Sequence, residues 1–352
     1  MSFNPLKIGE LTAKIPIIQG GMGVGVSLHR LAGAVAKKGG IGILSTAQIG
    51  YQRSDFEQDT MRENLLAIKE QFEKAKRIAK NGIIGFNVMV AQFGYERIIK
   101  CCTEVGADVI ISGAGLPVNL PELVRGSKIK IAPILSSSKG TKVLLKTWAK
   151  RYHRTADFVV IEGPLAGGHL GFKYEEIKTA TDNMDEEVKR IVEITYEYAN
   201  LFNIDIPVIF AGGVYTKGDI KHYLSLGCSG VQMATRFVGT VECDAPEDFK
   251  NRYLNASIND VEIIKSPVGM PGRAIKNHFS SMIKTQKIPI KKCRNCLSTK
   301  LCNRKNIPFC ISEALLNAVT HHTEDALLFA GANVYRVNEI TTVKDIINEL
   351  MQ

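Results

Sequence analysis

Short apolar runs alternate with amphipathic stretches along the first two thirds of the chain. Residues 15–19, 41–44, 83–88, 109–111, 130–135, 158–162, 207–211 and 230–233 are each too short for a typical helix, and most are rich in Ile, Val and Phe. They predict buried strands. Between them the apolar positions fall at helical spacing, as in Leu28, Leu31, Ala32 and Val35, and helices are expected near 61–79, 95–105, 120–124, 139–151, 185–202 and 217–226. A polar segment, residues 173–183, precedes the helix at 185. Eight strands, each followed by a helix-length segment within about 240 residues, predict parallel strands joined by right-handed crossovers. Units of roughly 30 residues match a closed (β/α)8 TIM barrel more closely than an open doubly wound sheet. Gly20-Gly21-Met22-Gly23-Val24-Gly25 contains the Gly-x-Gly of dinucleotide folds, but no acidic residue ends the second strand. The expected division is a barrel over residues 1–240 and a C-terminal helical, cysteine-rich extension over 241–352.

A barrel of this kind opens every loop that follows a strand onto one rim, where active sites lie. Gly20 to Gly25, Asn87, Ser112 to Gly115, Ser136 to Ser138, Gly167 to His169, Gly212-Gly213 and the residues after Gln232 all fall at such positions. Glycines there let backbone N–H groups approach a ligand closely. The loops after the last two strands, at Gly212-Gly213 and at Met233-Ala234-Thr235-Arg236, are suited to a phosphate, with Thr235 offering a hydroxyl and Arg236 a charge; the alternative is a simple tight turn. His169, set among Gly167, Gly168 and Gly171, can exchange a proton near neutral pH, or else merely cap a carbonyl in a turn.

Composition narrows the class. With 45% hydrophobic residues in 352, the chain can bury a large core. No apolar run approaches the ~20 residues that span a bilayer, and no secretory signal pattern opens the chain, so a cytoplasmic protein away from membranes is expected. The net charge of +10 comes from lysines spread in amphipathic patterns, which read as a solvated face. Lys287, Lys291, Lys292, Arg294, Lys300, Arg304 and Lys305 crowd together and are open to two readings, an acidic partner or simple solvation. Only Phe309 is interleaved there, which argues against nucleic acid.

Taken together, the motifs resemble those of the 2-nitropropane dioxygenase family, the nitronate monooxygenases and the related flavin-type enoyl-acyl-carrier-protein reductases. The resemblance rests on Gln19-Gly20-Gly21-Met22-Gly23, Gly85-Phe86-Asn87-Val88-Met89-Val90, Glu162-Gly163 with Ala166-Gly167-Gly168-His169-Leu170-Gly171, Ala211-Gly212-Gly213-Val214 and Gly230-Val231-Gln232-Met233-Ala234-Thr235-Arg236-Phe237. It implies a barrel that binds FMN non-covalently. By the same resemblance Gly20, Gly21, Met22, Gly23 and Asn87 hold the isoalloxazine. Gly167, Gly168, Gly212, Gly213, Gln232, Met233, Ala234 and Thr235 line the ribityl phosphate and its surroundings, and Glu162 stands where many members have Gln. His169 matches the catalytic histidine. Two departures are Ala234, where many relatives have Gly, and Pro164-Leu165, which alters the wall near His169. The implied reaction is oxidation of alkyl nitronates with oxygen; the alternatives are NAD(P)H-dependent reduction of an enoyl thioester, with an acidic acyl carrier protein as partner, or of a quinone. An oligomer is compatible with any of these. Residues 266–275 resemble a segment that returns over the barrel mouth, where Arg273 either approaches an anionic substrate or makes a surface salt bridge.

The eight cysteines do not suggest a secreted disulfide framework: Cys101 and Cys102 adjoin in a predicted helix, and Cys228 and Cys243 are isolated. The other four form Cys293-x2-Cys296-x5-Cys302-x7-Cys310, a cluster open to Zn2+ or an iron–sulfur cluster, to plain reduced thiols, or to a redox disulfide. His321 and His322 follow, open to contributing a ligand to that cluster or to lying on an exposed helix face. A short amphipathic helix over 343–351 closes the chain.

Overall fold

The period-two alternation of the apolar strands is what closes the barrel. Ile18, Ile41, Ile43, Ile83, Val109, Ile111, Val160 and Ile209 point into one interior cluster. Their neighbours Ile17, Leu44, Ile84, Phe86, Ile110, Val159, Phe210 and Val231 point outward into the layer between strands and helices. Strands buried on both faces read as near-continuous apolar runs, as here. The computed structural model describes residues 3–290, 292–298, 302 and 306–352.

In chain order the strands are β1 (Leu6–Ile8), β2 (Leu11–Ala13), β3 (Ile17–Gln19), β4 (Ile41–Ser45), β5 (Ile83–Met89), β6 (Val109–Gly113), β7 (Lys130–Leu135), β8 (Val159–Glu162), β9 (Gly168–His169), β10 (Val208–Ala211), β11 (Gly230–Met233), β12 (Val261–Lys265) and β13 (Pro271–Ile275). The helices are α1 (His29–Lys37), α2 (Thr60–Ala79), α3 (Tyr95–Glu104), α4 (Leu120–Leu123), α5 (Ser138–Tyr152), α6 (Ile177–Asp182), α7 (Met184–Phe202), α8 (Lys217–Ser225), α9 (Thr235–Val238), α10 (Glu247–Leu254), α11 (His278–Met282), α12 (Ile311–Val319) and α13 (Val343–Met351). Strands β3 to β8, β10 and β11 close a parallel barrel in sequence order, β11 pairing back onto β3. The (β/α)8 expectation is therefore met, with helices around it.

Several features lay beyond the alternation. An antiparallel hairpin, β1–β2, precedes the barrel and drives Leu6, Ile8 and Ala13 into its interior cluster as a plug. The polar segment 173–183 contains a 3-10 turn and α6. The residues after the barrel build a second sheet, in which β12 and β13 pair antiparallel and β13 pairs with β9, aligning Gly272 with His169. Segment 266–275 thus does return to the mouth. His321 and His322 do not sit on a helix face: α12 ends at Val319, and the pair lies in the following turn, with His321 Nδ1 3.3 Å from the Asp248 carboxylate. Among the described residues no helix is long and apolar enough to cross a membrane.

The basic cluster is partly neutralised from within. Lys292 Nζ lies 3.0 Å from Glu57, Arg294 Nε lies 2.8 Å from the same carboxylate, and Lys284 nearby pairs with Glu262. Lys287 also has a partner. Lys291, Lys300, Arg304 and Lys305 lie outside the described residues.

Candidate functional site

Two loop groups meet where the barrel strands end. The first comes from β3, β4, β5 and β11. Gly20 N–H donates to Met233 O at 2.8 Å, fixing the glycine loop to β11. A methyl group on Gly21 would stand 2.4 Å from Asn87 Cβ, and one on Gly23 would stand 2.6 Å from Ser45 Oγ. Only glycine permits this approach. Met22 N–H donates to Ser27 Oγ at 2.7 Å, and the Met22 side chain packs on the core. Gln232 lies against Gly20, and its Oε1 is buried without a hydrogen-bond partner. An orphaned buried acceptor beside a bare glycine wall is a place for a donor from a flat ligand.

The second group comes from β8, β10 and β11 together with the far C-terminus. Gly212, at φ +110°, has the Gly163 carbonyl 2.8 Å from where its Cβ would be, and Gly213 packs on Leu165. At Gly167 a Cβ would meet the Ala330–Gly331 peptide at 2.5 Å. Thr235 Oγ1 accepts from Gly331 N–H at 2.9 Å, and Asn333 Nδ2 donates to Gly213 O at 2.6 Å. Gly167, Gly213 and Thr235 are therefore joined through residues 330–333, and Ala234 is the N-cap of α9. Two residues do less than their place in the motif implied. The Met233 side chain is buried in the core, leaving only its backbone for the mouth. Arg236 turns away: it donates to Tyr215 O, stacks on the Tyr215 ring at 4.8 Å and pairs with Glu349.

His169 stands on β9 beside Gly168, paired with Gly272 of β13. Its Nε2 shares a 2.7 Å hydrogen bond with the Ser266 hydroxyl, and its ring meets Phe329 edge-on, with centroids 4.9 Å apart and planes at 69°. Burial lowers its pKa to about 4, so the imidazole is neutral across the physiological range. Glu162 ends β8. Its Oε2 accepts from Gly171 N–H at 2.7 Å and Ser136 Oγ at 3.2 Å, yet burial dominates and raises the carboxyl to about 7. A neutral base and a carboxyl that titrates near neutrality thus sit on adjoining parts of one rim, an arrangement of differently tuned groups typical of active sites. Arg273 does not make a surface salt bridge. It is buried, with Nε donating to Ala166 O at 3.1 Å and Nη2 to Pro164 O at 2.5 Å, and so clamps the loop that carries His169.

Ser266, Phe329, Gly331 and Asn333 were missed as site residues by motif reading, since each reaches the mouth from more than 90 residues beyond its partner there. Ser266 was signalled only as the start of segment 266–275, and the other three only by the Gly331-x-Asn333 pair after an apolar run, with no strand periodicity to place it. Cys293, Cys296, Cys302 and Cys310 are partly buried and joined in no disulfide. Among the described residues no three His, Cys, Asp or Glu side chains stand ready to hold a metal ion.

Comparison with known proteins agrees with this geometry. A family model described as nitronate monooxygenase matches residues 4–352. A "probable nitronate monooxygenase" of Staphylococcus saprophyticus is 25% identical over 300 residues, covering 79% of this chain and 80% of that protein. The (3aS,4S,5R,7aS)-5-hydroxy-7a-methyl-1-oxo-octahydro-1H-indene-4-carboxyl-CoA dehydrogenase of Rhodococcus jostii is 25% identical over 260 residues, 74% of this chain, which spans 62% of that protein's length. The structure of FabK from Thermotoga maritima superposes with a TM-score of 0.71 at 23% identity, covering 96% of this chain and 91% of that one. Nitroalkane oxidase from Streptomyces ansochromogenes superposes with a TM-score of 0.68 at 18% identity, covering 96% and 94%. These two likenesses are likenesses of fold. The chain belongs to the nitronate monooxygenase family and is an oxidoreductase of that kind.

Proposed function

We propose that this protein is an FMN-dependent oxidoreductase that oxidises small alkyl nitronates with oxygen. The observation that carries the reading is His169, a neutral imidazole fixed by Ser266 and Phe329 beside the glycine-walled loop of Gly167 and Gly168. The residues present suit FMN: the Gly20–Gly23 loop, Asn87 and the orphaned Gln232 Oε1 offer a flat slot with an unmet acceptor, and Gly212, Gly213, Ala234 and Thr235 a phosphate seat. Bound there, the flavin supplies the redox chemistry. The chain supplies placement. A nitronate is already an anion without its α-proton, so the neutral His169 has only to orient it by hydrogen bonding, and Ser266 keeps the ring from turning.

A second reading, NAD(P)H-dependent reduction of an enoyl thioester or quinone, is favoured by the relative named as a carboxyl-CoA dehydrogenase and by the net charge of +10, which would attract an acidic acyl carrier protein. Anaerobic titration of the flavin-loaded protein separates the two. Loss of the visible flavin bands with an alkyl nitronate alone supports the first reading; loss only with NAD(P)H overturns it in favour of the second. Failure to take up FMN at all defeats both. His169→Ala is expected to retain FMN while turnover falls by ~10²-fold or more.

A further inference from the structure

The hydrogen bond between His169 and Ser266 has a direction, and the surroundings of the hydroxyl decide it. Ser266 opens the turn between β12 and β13, and both of its backbone groups are spent there: its N–H donates to Met270 O and its carbonyl accepts from Gly269 N–H, each at 3.1 Å. Gly269, at φ +82°, lets the chain turn that tightly. The same hairpin holds the backbone that carries the histidine, since Gly272 pairs with His169 and Leu170 N–H donates to Pro271 O at 2.8 Å. Ring and hydroxyl therefore meet from two segments already tied together at the main chain.

A hydroxyl has one proton to give and two lone pairs with which to accept. Ser266 is buried, and its Oγ already accepts, at a long 3.4 Å, from Val268 N–H. Among the described residues no carbonyl or carboxylate oxygen accepts from this hydroxyl, so His169 Nε2, at 2.7 Å, is the acceptor its proton has. The reverse arrangement, with Nε2–H donating, would leave a buried O–H with no acceptor, which folded chains avoid. The separation agrees, because 2.7 Å is ordinary for a hydroxyl donor and short for an N–H donor. The ring itself is uncharged: burial alone shifts its pKa, downward, and no neighbouring carboxylate opposes that. A neutral imidazole carries one N–H, and where Nε2 accepts, Nδ1 holds it. Nδ1 has no partner among the described residues and is not one of their fully buried unpartnered atoms, so it is open to a ligand.

We propose that Ser266 is a positioning residue that fixes His169 as its Nδ1–H tautomer, so that the histidine meets a substrate as a hydrogen-bond donor and selects for an oxygen acceptor at the reacting end. This rests on the reading of His169 as the group that orients the substrate, and narrows it: the imidazole gives a hydrogen bond through Nδ1 and takes no proton there. A nitronate oxygen meets that requirement, and so does the carbonyl of an enoyl thioester.

The test is nitrogen NMR of the full chain with isotope-labelled histidine rings, recorded at about pH 7 with and without FMN, the His169→Gln variant identifying the signals. For His169 a protonated Nδ1 and an unprotonated Nε2 are expected. Ser266→Ala should let both tautomers appear, and Ser266→Thr, which keeps the hydroxyl, should restore the single one. A wild-type ring protonated at Nε2, or at both nitrogens, overturns the proposal, as does a Ser266→Ala spectrum identical to that of wild type. The wild-type spectrum decides by itself if a variant fails to fold. In turnover of an alkyl nitronate, Ser266→Ala is expected to lower kcat about 10-fold or more and Ser266→Thr to recover most of it; an undiminished kcat in the alanine variant overturns the positioning role. A protein that shows Nδ1–H yet oxidises no nitronate loses the proposed substrate and keeps the assignment of the proton, so the two failures are told apart.

Discussion

Glu162 shows how a single position can set a pH response. Burial raises its carboxyl to about 7 from the ordinary 4.5, against the opposing hydrogen bonds from Gly171 and Ser136. Between those values the folded chain keeps a proton that the unfolded chain has released, so stability falls as pH rises across the window and the full loss is felt above about 7. His169 acts in the other direction, since its folded value of about 4 lies below the ordinary 6.5 and stability falls as pH drops through that interval. A raw pH profile mixes the two; a difference between variants does not. Glu162→Gln keeps an acceptor for Gly171 and Ser136 and removes the charge. In the flavin-free protein it is expected to be more stable than wild type at about pH 8, by about 3 kcal/mol at most, the advantage shrinking towards about pH 5. A difference in urea midpoint that stays constant over that range would show that the carboxyl is not raised.

Elements of this chain were legible in proportion to how locally their reasons are written. All eight barrel strands carry their cause in their own short apolar runs, and the long helices α2, α5 and α7 carry theirs in periodicity. The first turn of α1 does not. Its N-cap residue is Leu28, which offers no side-chain acceptor, and the orphan N–H groups are met by Asp244, more than 200 residues away. Asp244 Oδ2 accepts from Leu28 at 2.8 Å and Leu31 at 3.1 Å, and Oδ1 accepts from Arg30 at 3.1 Å. No rule of local spacing finds a cap at that distance. Asp244→Ala is expected to cost about 2 kcal/mol in equilibrium unfolding, at the upper end for a lost cap, because several donors are stranded at once. Asp244→Asn, which keeps acceptor capacity, should cost less. A loss within about 0.5 kcal/mol for the alanine variant would mean that water replaces the carboxylate at no penalty.

At the scale of the whole molecule, the half of the mouth visible in motifs is the half the barrel makes for itself. Gly20 to Gly23, Asn87, Gly167, Gly212, Gly213 and Thr235 announce themselves because each lies near the end of a recognisable strand or in the loop after it. The remaining wall is supplied by residues 329–333, in a stretch whose only pairing is an isolated bridge between Phe329 and Ala274, and whose place is set by contacts that no periodicity encodes. Those contacts are specific: Gly331 N–H on Thr235, Asn333 on the Gly213 carbonyl, and the 330–331 peptide packed where only a glycine at 167 leaves room. Holding the Gly213 carbonyl fixes the direction in which the neighbouring N–H groups face, so the C-terminal return would act on the phosphate seat proposed above. Asn333→Ala removes one hydrogen bond, a net of about 1 kcal/mol, and is expected to weaken FMN binding about 5- to 10-fold. The thermal midpoint of the flavin-free protein should move less than that of the FMN-loaded protein, because the loop it orders matters most when the nucleotide is bound. Fluorescence titration of FMN into both proteins measures the first quantity, and melting with and without the nucleotide measures the second. An affinity within about twofold of wild type would mean that the barrel's own loops hold their shape, and that the last stretch of chain only covers them.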